Sequence, residues 1–356
     1  METGILGLPK SGKTTLFNIL TAARQATDKF SRSGETHVGV ASVPDPRLEK
    51  LRDLFQPKKF TPATVRYVDI PGIERGEGSE AVDLDKLRTV DALMHVVRVF
   101  DDPELPHPEG SVDPARDVES VDLELVLADH ELVERRIERL EKGKKRGLSA
   151  DEERELRLLA EVVLPALAAE RPLRTVTLDP DDERRLRGFQ LLSAKPLLVV
   201  LNVGEDRVAS ADPAAFGIAE GEGRQVMVVS APIEEEISRL DADEQREFLA
   251  DLGLAEPPAA RVLRTTLELL GRIAFFTVGE DEVRAWTVRR GTTARKAGGA
   301  VHSDIERGFI RAEVVHWDDL LRLGSLTACR DQGVLRLEGK EYPVADGDVV
   351  HFRFNV

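Results

Sequence analysis

The sequence predicts an α/β fold with a largely parallel sheet, followed by a smaller β-rich domain. Helix-length stretches separate five short apolar runs that are typical of buried parallel strands: Gly4 to Leu8, Val65 to Val68, Ala92 to Phe100, Leu197 to Leu201 and Val226 to Val229. After Gly271 the pattern changes to short alternating strands with many turn glycines. With 356 residues, 41% of them hydrophobic, the chain is long enough for two or three domains.

An insertion rich in Glu, Arg and Leu separates the third and fourth predicted strands. Its apolar residues recur at helical spacing in two arms, the first with Leu123, Val126, Leu127, Val133, Ile137 and Leu140, the second with Leu156, Leu159, Val162 and Val163. The basic stretch from Lys142 to Gly147 breaks the pattern between them. We therefore expect an antiparallel helical hairpin at 119–192, an α/β domain at 1–118 and 193–274, and a β-rich domain at 275–356.

Composition excludes several classes of protein. The formal charge is -15, from 50 basic and 65 acidic residues, so any nucleic-acid contact is expected to be a local patch, and no DNA partner is expected. The single cysteine, Cys329, rules out a disulfide framework and fits a reducing, cytoplasmic location. The apolar runs fall far short of the roughly 20 residues that a membrane span needs, so no membrane association is expected.

A glycine-rich turn follows the first predicted strand and precedes a helical run. Gly7 to Thr14 fits the G-x-x-x-x-G-K-[ST] pattern of the phosphate-binding P-loop. In this motif backbone amides cradle the phosphates, Lys13 bridges the terminal phosphates as a catalytic group, and the Thr14 hydroxyl binds Mg²⁺. The predicted nucleotide contacts are Pro9, Lys10, Ser11, Gly12, Lys13, Thr14 and Thr15. The alternative is a chance Gly-Lys-Thr turn, which the position after the first strand disfavours.

Asp69 ends the second predicted strand, and Gly72 follows three residues later. With a P-loop upstream, this spacing is typical of a carboxylate that holds Mg²⁺ through water and an amide that senses the γ-phosphate. Taken alone, Asp-x-x-Gly is an ordinary turn. The next residue, Ile73, stands where many GTPases have a water-orienting glutamine, which predicts slow hydrolysis unless another group orients the water.

Two further turns are expected to hold the base. Asn202, Val203 and Glu205 stand where Asn-Lys-x-Asp gives guanine selectivity, and Ser230 and Ala231 follow the fifth strand. Glu205 is longer than aspartate by one methylene, and Val203 lacks the lysine stem that covers the base, so selectivity for guanine is expected to be weak or absent. The alternative is a plain strand-to-loop turn.

The chain resembles the Obg-like ATPases, the YchF family, over almost its full length. The matching segments are Gly4 to Pro9, Gly39 to Leu48, Gly110 to Asp117, Asn202 to Glu205, Arg284 to Thr287 and Asp346 to Val356. The resemblance implies a P-loop NTPase G domain with an inserted antiparallel helical hairpin and a C-terminal TGS domain of β-grasp type. It also implies a preference for ATP over GTP and association with the ribosome.

The resemblance assigns the orientation of the attacking water to a histidine in the loop after the third strand, which matches His107. Without the resemblance, an exposed loop histidine is the simpler interpretation. The chain also departs from the family pattern. Ser33 or Thr36 replaces the magnesium-sensing threonine, and the segment after Gly72 is shorter. Lys10 replaces an asparagine that helps to bind potassium in related enzymes, which predicts hydrolysis indifferent to potassium.

We therefore expect an ATP hydrolase that uses Mg²⁺ and contacts the ribosome through its hairpin and its TGS domain. The candidate contacts with rRNA are the hairpin tip from Lys142 to Arg146 and the cluster Arg289, Arg290, Arg295 and Lys296. The alternative for the tip is a solvated charged turn. Two other functions stay open, namely a GTP-binding switch and a module that binds nucleotide with negligible turnover.

Overall fold

The computed structural model describes residues 1–22, 36–72, 84–221 and 223–355. The chain forms two units, the first from Met1–Val40 and Arg66–Val262, the second from Ala41–Val65 and Leu263–Val356. Within the described residues, no helix combines the length and apolar character needed to cross a bilayer.

Strands and helices alternate in the first unit, and both also occur in the second. The strands are β1 (Glu2–Leu6), β2 (His37–Val43), β3 (Lys59–Thr61), β4 (Ala63–Asp69), β5 (Ala92–Arg98), β6 (Leu197–Asn202), β7 (Arg224–Val229), β8 (Arg272–Thr277), β9 (Glu282–Arg289), β10 (Phe309–His316), β11 (Arg336–Glu338) and β12 (Asp348–Phe354). The α-helices are α1 (Lys13–Thr21), α2 (Pro46–Phe55), α3 (Leu84–Arg88), α4 (Pro114–Gly143), α5 (Ala150–Leu158), α6 (Leu164–Ala168), α7 (Pro180–Leu186), α8 (Ala231–Ile237), α9 (Ala242–Asp251), α10 (Pro258–Leu269), α11 (Ala294–Val301), α12 (Ser303–Gly308), α13 (Trp317–Leu323) and α14 (Leu326–Asp331).

The first sheet has the strand order β2-β4-β1-β5-β6-β7. The pairs from β4 to β7 are all parallel, and β5 and β6 are buried along their whole length, which explains their uninterrupted apolar sequence. All five predicted strands are present, and the predicted α/β class is confirmed. Sequence reasoning missed β2, which is half exposed, and β3, which has only three residues.

The long helix α4 begins where Asp113 accepts a hydrogen bond from the Arg116 amide and Pro114 occupies the first turn. Its N-terminal part packs into the core of the first sheet through Val118 and Val121. Its C-terminal part packs in a separate core with the second arm, for example through Val133. One helix therefore belongs to both the sheet domain and the hairpin.

The second arm of the hairpin begins at α5, where Ser149 and Glu152 form a reciprocal capping box. A π-helical turn, Leu159–Val163, joins α5 to α6. The predicted hairpin is present, but two residues assigned to its core are exposed, Leu127 by 48% and Val162 by 38%. Helical spacing therefore included, in each arm, one apolar residue that is exposed in the structure.

The second unit contains a six-stranded sheet in the order β11-β10-β12-β8-β9-β3. Its edge strand β3 comes from the early segment 41–65 and pairs in parallel with β9. Arg47 on α2 stabilises this arrangement, because its guanidinium lies 2.6 Å from Asp346 and stacks over Phe276. The predicted domain boundaries stay a prediction, and the two units differ from them in assigning 41–65 to the C-terminal part.

Candidate functional site

The turn between β1 and α1 has the backbone shape that the motif predicts. Gly7 and Gly12 adopt φ values of 144° and 95°, a region that favours glycine. A Cβ atom on Gly12 would lie 2.4 Å from the Asn202 Nδ2 atom, so only glycine fits at that position. The turn ends directly in α1, whose first residues are Lys13, Thr14 and Thr15. Backbone amides at this helix start are the groups that bind phosphate.

Lys13 bends back over the turn. Its Nζ atom donates hydrogen bonds to the carbonyl oxygens of Gly7 at 3.1 Å and Leu8 at 2.8 Å. Burial lowers the pKa of Lys13 to about 8, although the charge of Asp69 opposes this shift. A bound polyphosphate would supply a close anionic partner, which the described residues do not give this buried ammonium. The other lysine of the turn, Lys10, has an exposed side chain and a φ of 64°.

Thr14 and Asp69 meet as the sequence predicts for a magnesium site. The Thr14 hydroxyl donates to Asp69 Oδ2 at 2.8 Å, while the buried Oδ1 atom of Asp69 has no hydrogen-bond partner among the described residues. Burial raises the pKa of Asp69, and the Thr14 hydrogen bond and the Lys13 charge oppose this shift. The described ranges contain no group of three or more His, Cys, Asp or Glu arranged to hold a metal. A hydroxyl and one carboxylate fit Mg²⁺ that takes its remaining ligands from phosphate and water.

The remaining predicted switch residues are only partly described. Thr36 lies just before β2, and its hydroxyl accepts a hydrogen bond from Lys86 Nζ at 3.0 Å. Ser33 and Ile73 lie outside the described residues. Gly72 lies against the P-loop, because a Cβ atom at this position would be 2.8 Å from the Pro9 nitrogen. The choice between Ser33 and Thr36 therefore stays open.

Asn202 connects two of the predicted nucleotide-binding turns. These are the turn between β1 and α1, here called the phosphate turn, and the turns after β6 and β7, here called the base turn. Its Nδ2 atom donates to the Ser11 carbonyl at 3.1 Å, and its Oδ1 atom accepts from the Ala231 amide at 3.1 Å. Ser230 is fully buried, and in the part of the chain that the structure describes its hydroxyl has no hydrogen-bond partner. Val203 is also fully buried within the apolar core, so only its backbone is available to a nucleotide. These contacts place the carboxyl ends of β1, β6 and β7 together, as expected for a ligand site of an open parallel sheet.

Glu205 lies in a short 3₁₀ turn after β6, and its side chain is exposed. The Glu205 side chain therefore lies outside the hydrophobic core, whereas the Val203 side chain lies within it. This leaves Glu205 as the side chain of the predicted base turn that is open to solvent.

His107 lies in a cleft that P-loop residues also line. The cleft is formed by Leu8, Pro9, Ser11, His95, Val96, Val97, Arg98, His107 and Asp117. The His107 side chain is only 4% exposed, so the alternative of an exposed loop histidine is wrong. Its Nδ1 atom accepts from the Glu109 amide at 3.2 Å, and its Nε2 atom lies 3.0 Å from Asp117 Oδ2.

Sequence reasoning missed three residues around this cleft. Arg98 is 2% exposed and donates to the carbonyls of Phe100, Leu105 and Asp102, which fixes the loop that carries His107. Asp117 contacts His107 from α4. Burial lowers the pKa of His95 to about 3, and neither of its ring nitrogens has a hydrogen-bond partner within the described ranges. In the sequence, Arg98 and His95 are marked as unusual because they place a charge and an imidazole inside an otherwise apolar strand.

Comparison with known proteins gives matches along the whole chain. Residues 2–140 match the family model described as a 50S ribosome-binding GTPase, and residues 272–355 match the YchF-GTPase C-terminal model, described as a protein of unknown function. The ribosome-binding ATPase YchF of Bacillus subtilis is 43% identical, with 100% of both chains covered. The protein of the same name from Haemophilus ducreyi is also 43% identical, with coverage of 100% of this chain and 99% of that one.

Solved structures agree with the sequence matches. The Schizosaccharomyces pombe YchF GTPase superimposes with a TM-score of 0.85 at 30% identity, covering 99% of this chain and 97% of that one. A GTP-binding protein from Pyrococcus horikoshii superimposes with a TM-score of 0.60 at 18% identity over 100% of both chains, which supports the fold alone. The full-length identities and the shared architecture establish that this chain belongs to the YchF family.

Proposed function

We propose that this protein binds and hydrolyses ATP with Mg²⁺ and associates with the ribosome. The observation that carries the proposal is the convergence of Lys13, Thr14 and Asp69 at the start of α1, with the Thr14 hydroxyl 2.8 Å from the Asp69 carboxylate. A buried ammonium, a helix N-terminus and a carboxylate-hydroxyl pair together match a nucleoside triphosphate with its divalent cation. The relatives from Bacillus subtilis and Haemophilus ducreyi are named ribosome-binding ATPases.

In this mechanism the protein mainly orients the triphosphate and stabilises charge. Lys13 would leave its two carbonyl partners and bridge the terminal phosphates. Mg²⁺ would be held by the Thr14 hydroxyl and, through water, by Asp69, with Thr36 or Ser33 added from the loop before β2. The amide of Gly72, a residue that lies against Pro9, would sense the γ-phosphate. Mg²⁺ itself supplies neutralisation of the charge that develops on the phosphoryl oxygens.

The base turn supports ATP over GTP. Guanine recognition needs a carboxylate that accepts from two adjacent N–H donors and a side-chain stem that covers the ring. Val203 is in the core and therefore provides no stem, and the exposed Glu205 is not anchored as a short aspartate would be. Asn202, by contrast, is placed as the guanine-binding motif would have it, and one matching family model describes a GTPase. A GTP-binding switch is therefore the second candidate.

Hydrolysis is expected to be slow and to depend on His107. The residue after Gly72 is hydrophobic, so it cannot orient water. His107 shares a cleft with Pro9 and Ser11 of the P-loop and is the titratable group of that cleft that the family resemblance associates with the water. If His107 makes no contribution, the protein becomes a nucleotide-binding module with negligible turnover.

Ribosome contact is proposed through two basic surfaces. At the hairpin tip, Lys142 and Lys144 pair with Glu138 and Glu141 of α4, while Lys145 and Arg146 are exposed. In the second unit, Arg289 and its neighbours form the other surface.

A like-charged pair supports the second basic surface as a site for an anionic partner. Arg272 and Arg289 are direct partners in the β8-β9 register, an arrangement that costs stability unless an anion binds there. Arg290 is exposed, while Lys296 pairs with Glu306 at 2.7 Å. Phosphate groups of rRNA fit Arg289 and Arg290 better than they fit Lys296. A protein bound to ribosomes would work in the cytoplasm.

The proposal is tested by measuring Mg²⁺-dependent binding and hydrolysis of ATP and GTP, with and without ribosomes. Lys13→Ala is expected to weaken ATP binding by about 10- to 100-fold, because hydrogen bonds to charged groups contribute roughly 1.5–3 kcal/mol. Lys145→Ala, which removes an exposed lysine of the hairpin tip, serves as the matched control for nucleotide affinity. Equal affinity of wild type and Lys13→Ala for ATP would contradict the proposal. A preference for GTP in competition would favour the second candidate.

A further inference from the structure

The two ring nitrogens of His107 have different surroundings. Nδ1 accepts a hydrogen bond from the Glu109 amide at 3.2 Å, so this nitrogen carries no proton in the neutral ring. The proton then resides on Nε2, which lies 3.0 Å from Asp117 Oδ2. This distance is that of an ion-pair contact, and within the described part of the chain Oδ2 accepts no hydrogen bond. The carboxylate and the loop amide thus select the same tautomer.

Asp117 is itself held in place. It lies in the first turn of α4, its side chain is 2% exposed, and its Oδ1 atom accepts from Arg116 Nε at 3.1 Å and Nη2 at 2.7 Å. The same guanidinium donates to the Ser111 carbonyl at 2.5 Å and to its hydroxyl at 3.1 Å. One arginine therefore fixes both the carboxylate and the loop that follows His107. The forked geometry makes the contact with Asp117 directional.

We propose that Asp117 is the positioning residue for His107: it holds the Nε2–H tautomer, so that Nδ1 is the hydrogen-bond acceptor offered to the attacking water. This inference rests on the proposed function, in which His107 takes part in ATP hydrolysis. A carboxylate that orients one nitrogen of an imidazole while the other accepts from the reacting group is a recurrent way to prepare a histidine for proton transfer.

Before Nδ1 can accept a hydrogen bond from the attacking water, its present hydrogen bond from the Glu109 amide must break. At 3.2 Å it is longer than either contact between Arg116 and Asp117, and it links His107 to an amide two residues away in the same loop. Freeing Nδ1 requires a shift of this short loop, in which the Glu109 carbonyl also accepts from Arg116 Nη1 at 3.5 Å, whereas both residues of the Asp117–Arg116 pair lie in α4. Pro9 and Ser11 of the P-loop line the same cleft as His107, next to the predicted phosphate-binding turn.

The test is a double-mutant cycle of Asp117→Asn and His107→Ala, with steady-state ATP hydrolysis and ATP affinity measured separately. Asparagine keeps the size of the side chain but presents an amide donor or a neutral oxygen, so the Nε2–H tautomer is no longer enforced. Asp117→Asn is expected to lower kcat at least about 10-fold while KM and ATP affinity change less than about twofold. In the His107→Ala background it should have no further effect.

Asp113→Ala is the matched control, because Asp113 caps the same helix through the Arg116 amide and does not contact His107. It is expected to lower stability by about 1 kcal/mol and to leave kcat unchanged. An unchanged kcat in Asp117→Asn overturns the inference, and so does an equal loss of kcat in both backgrounds. A His107→Ala protein with wild-type kcat overturns it as well. A wild-type protein that does not hydrolyse ATP instead overturns the proposed function.

Discussion

Asn202→Ala tests whether the bridge between the phosphate turn and the base turn prepares the nucleotide site. The side chain is 3% exposed and makes two hydrogen bonds of 3.1 Å. Its removal leaves the Ser11 carbonyl and the Ala231 amide without these partners, which costs about 1–3 kcal/mol for each group that stays dry. We therefore expect a total loss of stability of about 2–6 kcal/mol.

Part of this loss must appear in nucleotide affinity, because ATP binding requires both turns in their ordered positions. If ATP binding must supply about 2 kcal/mol of free energy to order the two turns in the variant, the Kd for ATP rises about 30-fold. The assay is equilibrium titration with a fluorescent ATP analogue in the presence of Mg²⁺, alongside urea unfolding. Thr3→Val is the control, since Thr3 is 1% exposed in β1 and its hydroxyl has no hydrogen-bond partner. An Asn202→Ala protein that binds ATP within twofold of wild type would refute the reasoning.

Three further outcomes are expected. Burial raises the pKa of Glu234 to about 7, so the folded state holds a proton that the unfolded state loses near pH 4.5. The free energy of unfolding should therefore fall between about pH 5 and 7. In urea unfolding, Glu234→Gln should show a flatter dependence of stability on pH. Asp129 is fully buried and accepts hydrogen bonds from Arg88, the Leu192 amide and Ser193, so Asp129→Ala should cost about 3–5 kcal/mol in the same assay, and a loss below 1 kcal/mol would contradict this role. Because Lys10 replaces the asparagine that helps to bind potassium, ATP turnover should be equal in potassium and sodium, and a large activation by potassium would count against it.

Much of the first sheet and of the phosphate site could be predicted because both depend on local sequence. Uninterrupted apolar runs identify fully buried strands such as β5 and β6. The P-loop motif fixes its own backbone, and the order of the strands then brings Asp69 and Asn202 to it. Strand β3 was not predictable in this way, since its three residues are ordered by pairing with β9 more than 200 positions later in the chain.

The surroundings of His107 were beyond sequence reasoning for a similar reason. The residue was singled out by family resemblance, and its burial depends on a loop that Arg98 and Arg116 hold through backbone carbonyls. Such contacts leave no periodic signal. The exposed Leu127 shows the converse error, because helical spacing identifies an apolar stripe but not which of its edge residues the neighbouring helix covers.

The second unit is assembled from two stretches that are far apart in the chain, 41–65 and 263–356. The helix α2 packs against β9 and α13, and β3 hydrogen-bonds to β9, so the early stretch finds its neighbours only after the C-terminal one has been synthesised. Folding of this unit therefore has to wait until the stretch 263–356 has been synthesised. A chain shortened at residue 262 would expose the unpaired edge of β3 and the bare side of α2, and such surfaces favour aggregation.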